Sequence, residues 1–429
     1  MYGGDEVNAL VIDVGSGTTK AGYAGEDTPK AYFPSVIGCA GLASKSSSTS
    51  GAANGADKPP RHLHVGSQAL AHRRDHMEIV SPLRDGLYHD FELIEGLWDH
   101  ALRDRLRAAP AEHPLMLAEP TFNTRELREK TVELAFEKLS PPAVFLARSA
   151  VLTSFAMGRQ SSLVVDAGHE GTTVAAVHDG YLLTKSIVRA PIGGQLLSQC
   201  MLQSAQAKGT VVQPAYSFKR VQTAAGQWEV KPLDYPLTAS SYRQYHLEQI
   251  GADMKESICR VSDGPFDAEQ NANIPTVSYE LPDGTEIQVG PDRFGIPEVL
   301  FQPDLLKKFK GLESVHRADG GDLSMQGLVQ DSVNRCDADL RRDLYNGVLL
   351  AGGTSMLTGL RDRLERELTN AAPHTARVKV TTPSNALERR FSTWIGGSIL
   401  ASLGSFQQMW LSKAEYDESG PSLIHRKSA

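Results

Sequence analysis

The sequence predicts an α/β protein of two lobes, duplicated about a phosphate-binding cleft. Three observations predict it. An apolar strand near the start runs through an acidic residue into a glycine turn. A second copy of that pattern follows near residue 166. Between and after the copies, helical periodicity alternates with short apolar strands, as in layered α/β lobes.

The first copy is residues 8–20, NALVIDVGSGTTK. Its Val- and Ile-rich run reads as a buried strand ending at Asp13. Gly15 and Gly17 allow a tight turn whose backbone approaches a ligand closely. Residues 18–25 read as the return strand, so the unit is a hairpin. Such a turn aims N–H groups and the hydroxyls of Ser16 and Thr18 at one spot, which suits a phosphate. It is not a Walker loop, because the spacing to Lys20 fails that pattern and no helix follows. Alone, the segment is equally a plain hairpin. The second copy, residues 162–173, SLVVDAGHEGTT, repeats apolar strand, Asp166, x, Gly168, then Gly-Thr. A duplication sets the two Asp-x-Gly turns face to face. Phosphates clamped between them follow, with Asp13 and Asp166 near a divalent cation that keeps its water shell.

The 429-residue chain exceeds one ordinary core, so two or more domains are expected. Its net charge of -7 argues against a surface given over to nucleic acid or membrane. Cys39, Cys200, Cys259 and Cys336 stand far apart without metal-like spacing and read as free thiols in a reducing compartment. No signal peptide, lipidation motif or membrane-length apolar run is legible, so a soluble intracellular protein is expected.

Residues 41–60 are Ser-, Gly- and Ala-rich and read as a mobile loop. The basic, His-containing run of residues 61–76 lacks fixed ligand spacing and reads as a solvated face, with DNA contact as a weaker reading of Arg61, His72, Arg73 and Arg74. Residues 92–107 and 123–139 carry apolar positions at helical spacing, separated by a short strand over 113–120. In the second lobe Gly193-Gly194 follows a strand-like segment and is either a ligand approach or a helix start. Residues 205–245 show no period, 253–259 read as a helix, and 278–289 as a hairpin with Asp283-Gly284 at its turn. Residues 347–356 read as a buried strand entering Gly352-Gly353, before a helix with Leu357, Leu360, Leu364 and Leu368 on one face. Those glycines before a helix favour phosphate, or Thr354 simply caps the helix.

The segments DVGSGTTKAGYAGEDTPKAYFPSVIG, LLAGGTSMLTGL, FSTWIGGSILASLGSFQQMW and KAEYDESGPSLIHRK resemble actin, and the resemblance runs over nearly the whole chain. YGGDEV near the start, RVSDG, IPTVSYE and ERRFS resemble the nuclear actin-related branch of that family. The resemblance implies the two-lobed fold shared by actin, hexokinase and the large heat-shock chaperones, each lobe built on a βββαβα core, with ATP and Mg2+ or Ca2+ between them. Residues 1–158 would form the first lobe, 159–396 the second, and 397–429 would return to the first. By resemblance, Asp13, Gly15, Ser16, Gly17, Thr18 and Lys20 match the first phosphate loop, and Asp166 and Gly168 the second. Gly193, Lys255, Glu256, Gly352, Gly353, Thr354, Met356 and Arg390 lie where actin surrounds the nucleoside. Asp13 and Asp166 would meet the cation through water.

The departures bear on activity. Ser149 and Thr173 stand where actin positions its attacking water with glutamine and histidine. His169 and Glu170 alter the second phosphate loop, and the glutamate would crowd and repel the β-phosphate. Losing water-positioning groups costs about two to four orders of magnitude in rate. The expectation is therefore bound nucleotide with slow or absent hydrolysis, and no enzyme in the ordinary sense. Residues 46–56 lack the apolar plug that actin inserts into the next subunit, so filaments are not expected. Phe155, Tyr181, Leu400, Leu403 and Met409 match actin's apolar groove, which accepts an amphipathic helix; plain core is the competing reading for Leu400 and Leu403. The resemblance implies a nuclear subunit of chromatin-remodelling and histone-acetyltransferase complexes. Its partners would be a helicase-SANT-associated helix, an actin monomer alongside, and nucleosomal or linker DNA and histones, with no membrane. A filament-forming actin-like ATPase and a small-molecule kinase on the same fold are the rivals.

Overall fold

The computed structural model describes residues 8–41, 61–223, 227–267 and 271–428. The loop expected over 41–60 lies, from residue 42 onward, outside the described residues.

The first lobe is built on strands β1 (Leu10–Val14), β2 (Thr18–Tyr23), β3 (Ala31–Pro34), β4 (Leu115–Glu119) and β5 (Ala143–Arg148). β1 pairs antiparallel with β2 and parallel with β4, so the Asp13 strand is central. The edge strand Leu411–Ser412 joins β5 from the far end of the chain. Helices α1 (Phe91–Asp99) and α2 (Arg125–Leu134) cover the sheet, and both run on into a wider π turn. Asp90 caps α1 by accepting from the Leu93 N–H, and Thr124 caps α2 through the Leu127 N–H. Helix α3 (Ser149–Ala156) leads out of β5 toward the second lobe.

The second sheet repeats the plan with β6 (Ser162–Ala167), β7 (Thr172–His178), β8 (Val188–Ala190) and later β9 (Val348–Ala351). β6 is antiparallel to β7 and parallel to β9, as β1 is to β2 and β4. The duplication legible in the two motifs is thus a duplication of sheet topology. Helices α4 (Gly194–Ala207), α5 (Ser240–Ile258) and α6 (Leu360–Ala371) pack around this sheet. Leu360, Leu364 and Leu368 of α6 are fully buried, as their spacing predicted.

Helix α7 (Ala386–Ser402) follows the second sheet in sequence but packs against α3 and β1. Its Trp394 is fully buried in the first lobe and donates to the Val11 carbonyl at 3.0 Å. A Cβ on Gly396 would fall 1.9 Å from the Leu152 carbonyl oxygen, so the α3–α7 crossing depends on glycine. The boundary expected at 396–397 falls inside this helix.

Two sequence expectations change. The helix expected over 253–259 is the last part of the much longer α5. The stretch 205–245, read as irregular, holds a hairpin of Phe218–Gln222 with Trp228–Pro232 and the start of α5. Buried α5 positions include Tyr242, Gly251 and Lys255, which mask its apolar stripe in sequence. Gly251 is there because α4 crosses closely: a Cβ would lie 2.6 Å from the Ser198 carbonyl oxygen.

Candidate functional site

The two Asp-x-Gly turns meet where the lobes join. In the first, Asp13 stands directly across from Lys20 in the β1–β2 register. Their side chains pair at 3.0 Å and are 15% and 11% exposed. The Gly15 N–H donates to the Thr18 carbonyl, closing the turn. Ser35 ties the turn down from behind: its hydroxyl donates to the Gly15 carbonyl at 2.6 Å and its N–H to the Gly17 carbonyl at 3.1 Å. Ser35 had no periodic signal in the sequence and is found only from the fold.

In the second turn the Gly168 N–H donates to the Gly171 carbonyl. The Gly168 carbonyl accepts from the Gly194 N–H at 3.0 Å and from the Thr354 hydroxyl at 2.7 Å. The Lys255 ammonium donates to the Gly194 carbonyl at 3.0 Å. Gly193 lies against the same turn, where a Cβ would meet the His169 carbonyl oxygen at 2.6 Å. Gly352, at φ 88°, lies against Asp166: a Cβ there would sit 2.5 Å from the Asp166 carboxylate. Gly168, Gly193, Gly194, Lys255, Gly352 and Thr354 are therefore one cluster drawn from four segments. Thr354 is not the helix cap considered from sequence; the α6 helix starts later, after Gly359, and Thr354 instead bridges to the phosphate-loop turn.

The turns touch each other. A Cβ on Gly17 would lie 2.9 Å from His169 Cβ, and the Glu170 N–H donates to the Ser16 hydroxyl at 3.3 Å. Burial, reinforced by the like charge of Asp13 and opposed by Lys20, pushes the Asp166 carboxyl up to about 6. Burial, joined by the Lys255 charge and opposed by that of Glu248, pushes His169 down to about 4, although the residue as a whole keeps exposed surface. That ring is neutral at pH 7. Burial likewise lowers the Lys255 pKa. Buried charges of both signs facing one cleft are the signature of a ligand site. The glycine cradles fit phosphates, and two carboxylates that repel each other fit a cation between them. Among the described residues no cluster of three or more His, Cys, Asp or Glu side chains could cage a metal by itself.

Other expected residues sit further out. Glu256 and Arg390 pair loosely at 3.7 Å, both well exposed. Gly353 faces open space, and Met356 is half-buried. Ser149 opens helix α3 with its hydroxyl 2.8 Å from the Thr121 hydroxyl, which also accepts the Ala150 N–H. Thr173 stands across from Asp166 on one side and Arg189 on the other. Residues directly opposed on antiparallel strands share a face, so Arg189 faces the cleft as well; the sequence reading missed it.

At the base of the lobes Tyr181, Leu403 and Met409 are 66%, 40% and 47% exposed, and Phe155 is half-buried. Leu403 is not core. Leu400 is half-buried against the cluster of Trp394, Phe406 and Trp410, and Ile399, not singled out from sequence, is exposed beside it. The basic run is largely engaged within the chain. Arg61 pairs with Asp90 at 3.6 Å, Arg73 pairs with Asp75 at 2.7 Å and stacks over Tyr235, and Arg74 donates to the Ala69 and His72 carbonyls.

Comparison with known proteins agrees with this geometry. The family model described as Actin matches residues 4–429. Actin-related protein 4 of Arabidopsis thaliana is 50% identical, over 100% of both chains. Actin-related protein 4 of Oryza sativa subsp. japonica is 52% identical, again over 100% of both. The Schizosaccharomyces pombe protein of the same name is 33% identical over 98% of this chain and 96% of its own. The chain belongs to the actin family, in the actin-related group that these plant and fungal relatives represent.

Proposed function

We propose that the chain is a non-filamentous nuclear actin-related protein that holds ATP as a structural ligand. It would serve chromatin-remodelling and histone-acetyltransferase complexes as a docking subunit rather than an enzyme. The observation that carries the reading is the contrast inside the cleft. The glycine cradles and paired charges of a phosphate site are present, while the two positions that would orient an attacking water hold Ser149, turned onto Thr121, and Thr173.

Lys20 and the N–H groups of the two turns would hold the phosphates. Asp13 and Asp166 would hold Mg2+ or Ca2+ through its waters, and the cation supplies neutralising charge there. Lys255, Glu256, Thr354, Met356 and Arg390 would flank the nucleoside. Bound nucleotide at a hundredfold excess over Kd would stabilise the chain by roughly 2.7 kcal/mol. The exposed apolar residues Tyr181, Ile399, Leu403 and Met409 support a groove for one face of a helicase-SANT-associated helix, with an actin monomer on the same scaffold. Because the basic run is mostly paired, contact with nucleosomal DNA and histones is assigned to the assembled complex.

Phosphate release from purified protein with Mg·ATP tests the reading. Nucleotide should be retained, with turnover about a hundredfold or more below that of actin assayed alongside. Turnover near that of actin would overturn it, as would mass spectrometry in which the chain co-purifies only with copies of itself.

A further inference from the structure

In the first lobe the cation stands directly opposite the loop aspartate, in the row Asp13, Lys20, Tyr32 across β1, β2 and β3. In the second lobe the equivalent row is Asp166, Thr173, Arg189 across β6, β7 and β8. The cleft-facing cation of the second lobe has thus moved one strand outward. The second turn also carries a carboxylate, Glu170, where a glycine would leave room for phosphate by resemblance to actin.

The surroundings of Arg189 are defined. Its guanidinium lies 4.3 Å above the centre of the Phe122 ring, which belongs to the first lobe. A two-residue turn, Asp85-Gly86, joins the short strands Leu83–Arg84 and Leu87–Tyr88 and reaches the same place. Both turn residues have positive φ, 52° and 69°, the geometry of a type I′ hairpin that Asp-Gly favours. From the point where a Gly86 Cβ would stand, Phe122 Cζ is 3.2 Å away, Arg189 Nη2 3.4 Å and Glu170 Oε2 3.8 Å. Glu170 Oε2 and Arg189 Nη2 therefore both border the first-lobe turn, close enough for their charges to act on each other but without an ion pair of 4.0 Å or less, while the Glu170 backbone N–H is held by Ser16. Burial lowers the Arg189 pKa, and the Glu170 charge, ahead of that of Asp85, opposes the lowering.

We propose that Arg189 is a positioning residue: stacked on Phe122, it draws the Glu170 carboxylate to the back of the cleft, so that a phosphate loop bearing glutamate still admits a nucleotide. The inference rests on the nucleotide-holding reading above. It also explains how the crowding expected from Glu170 is avoided without restoring glycine.

The test is a double-mutant cycle on the full chain, read as the Kd of a fluorescent ATP analogue with Mg2+. Arg189→Met keeps the stem on Phe122 and removes the charge. Without that opposing charge Glu170 would repel phosphate, and affinity should fall about tenfold or more. Arg189→Lys should recover most of the loss. The double variant Arg189→Met, Glu170→Gly should bind like Glu170→Gly alone and far more tightly than Arg189→Met. Circular dichroism and thermal unfolding would verify that each variant is folded. Wild-type affinity in Arg189→Met, or a double variant as weak as Arg189→Met, overturns the inference while leaving nucleotide binding intact. If wild type and Glu170→Gly both fail to bind, the nucleotide reading fails and takes this inference with it.

Discussion

Gly17 shows how far a single atom decides the meeting of the lobes. A methyl group there would stand 2.9 Å from His169 Cβ, a separation Cβ atoms do not tolerate. Gly17→Ala should therefore push the two phosphate turns apart rather than merely stiffen one. The expected outcome is a nucleotide Kd raised at least about tenfold with a small change in thermal midpoint, because the displaced turn lies at the seam and not in a core. Isothermal calorimetry beside a melting curve separates the two effects. Several partners in this seam were legible in the sequence because glycine, aspartate and strand patterning each leave a local mark. Asp13, Gly15, Asp166 and Gly168 belong to that class. Ser35, Thr121, Phe122 and Arg189 do not: they reach the cleft only through cross-strand register and the approach of the other lobe. No local periodicity encodes such placement.

The elements follow the same division. Apolar β1, β6 and β9 and the Leu-rich α6 are visible in sequence because apolar residues dominate their buried faces, Ser162 of β6 and Arg363 of α6 being the buried polar members. Helix α5 was mostly missed because it buries a tyrosine, a glycine and a lysine where leucines would have announced it. Buried polar anchors elsewhere behave likewise. Arg363 of α6 forms a two-pronged pair with Glu298 at 2.8 and 2.9 Å, both side chains essentially without solvent contact, and stacks over Phe301. The guanidinium also donates to the Ser262 and Gly264 carbonyls and to Glu367. Glu298→Ala would leave that cation buried and half-satisfied, at a cost of about 3–5 kcal/mol. Urea unfolding should show the loss. A cost below about 1 kcal/mol would mean that the remaining acceptors suffice.

At the scale of the whole molecule, the last segment fastens the chain onto its first lobe. Ser412 and Glu415 form a reciprocal cap on the helix Lys413–Ser419, and Lys427 closes on Glu415 at 2.7 Å. Arg128, buried in α2, donates to the Ser428 carbonyl at 2.5 Å. The bond from Lys427, and then those from the Ser412 N–H and hydroxyl, hold the Glu415 carboxyl down at about 2. A depressed carboxyl stabilises the fold above its ordinary value and loses that contribution as pH falls from about 4.5 toward 2. Glu415→Gln should lower the thermal midpoint near pH 7 by the equivalent of about 0.5–1 kcal/mol, since the pair is solvent-screened. The difference from wild type should vanish as pH falls through that window, and a constant offset at every pH would refute the assignment.

Trp394 carries a wider consequence. It is contributed by a helix downstream of the whole second sheet, yet its indole seals the floor of the first one, and the strand Leu411–Ser412 later supplies that sheet's outermost rung. The opening sheet is therefore not a finished body when its own strands have been made: a ribosome must extend the chain through Trp394 and Ser412 before that sheet can be sealed.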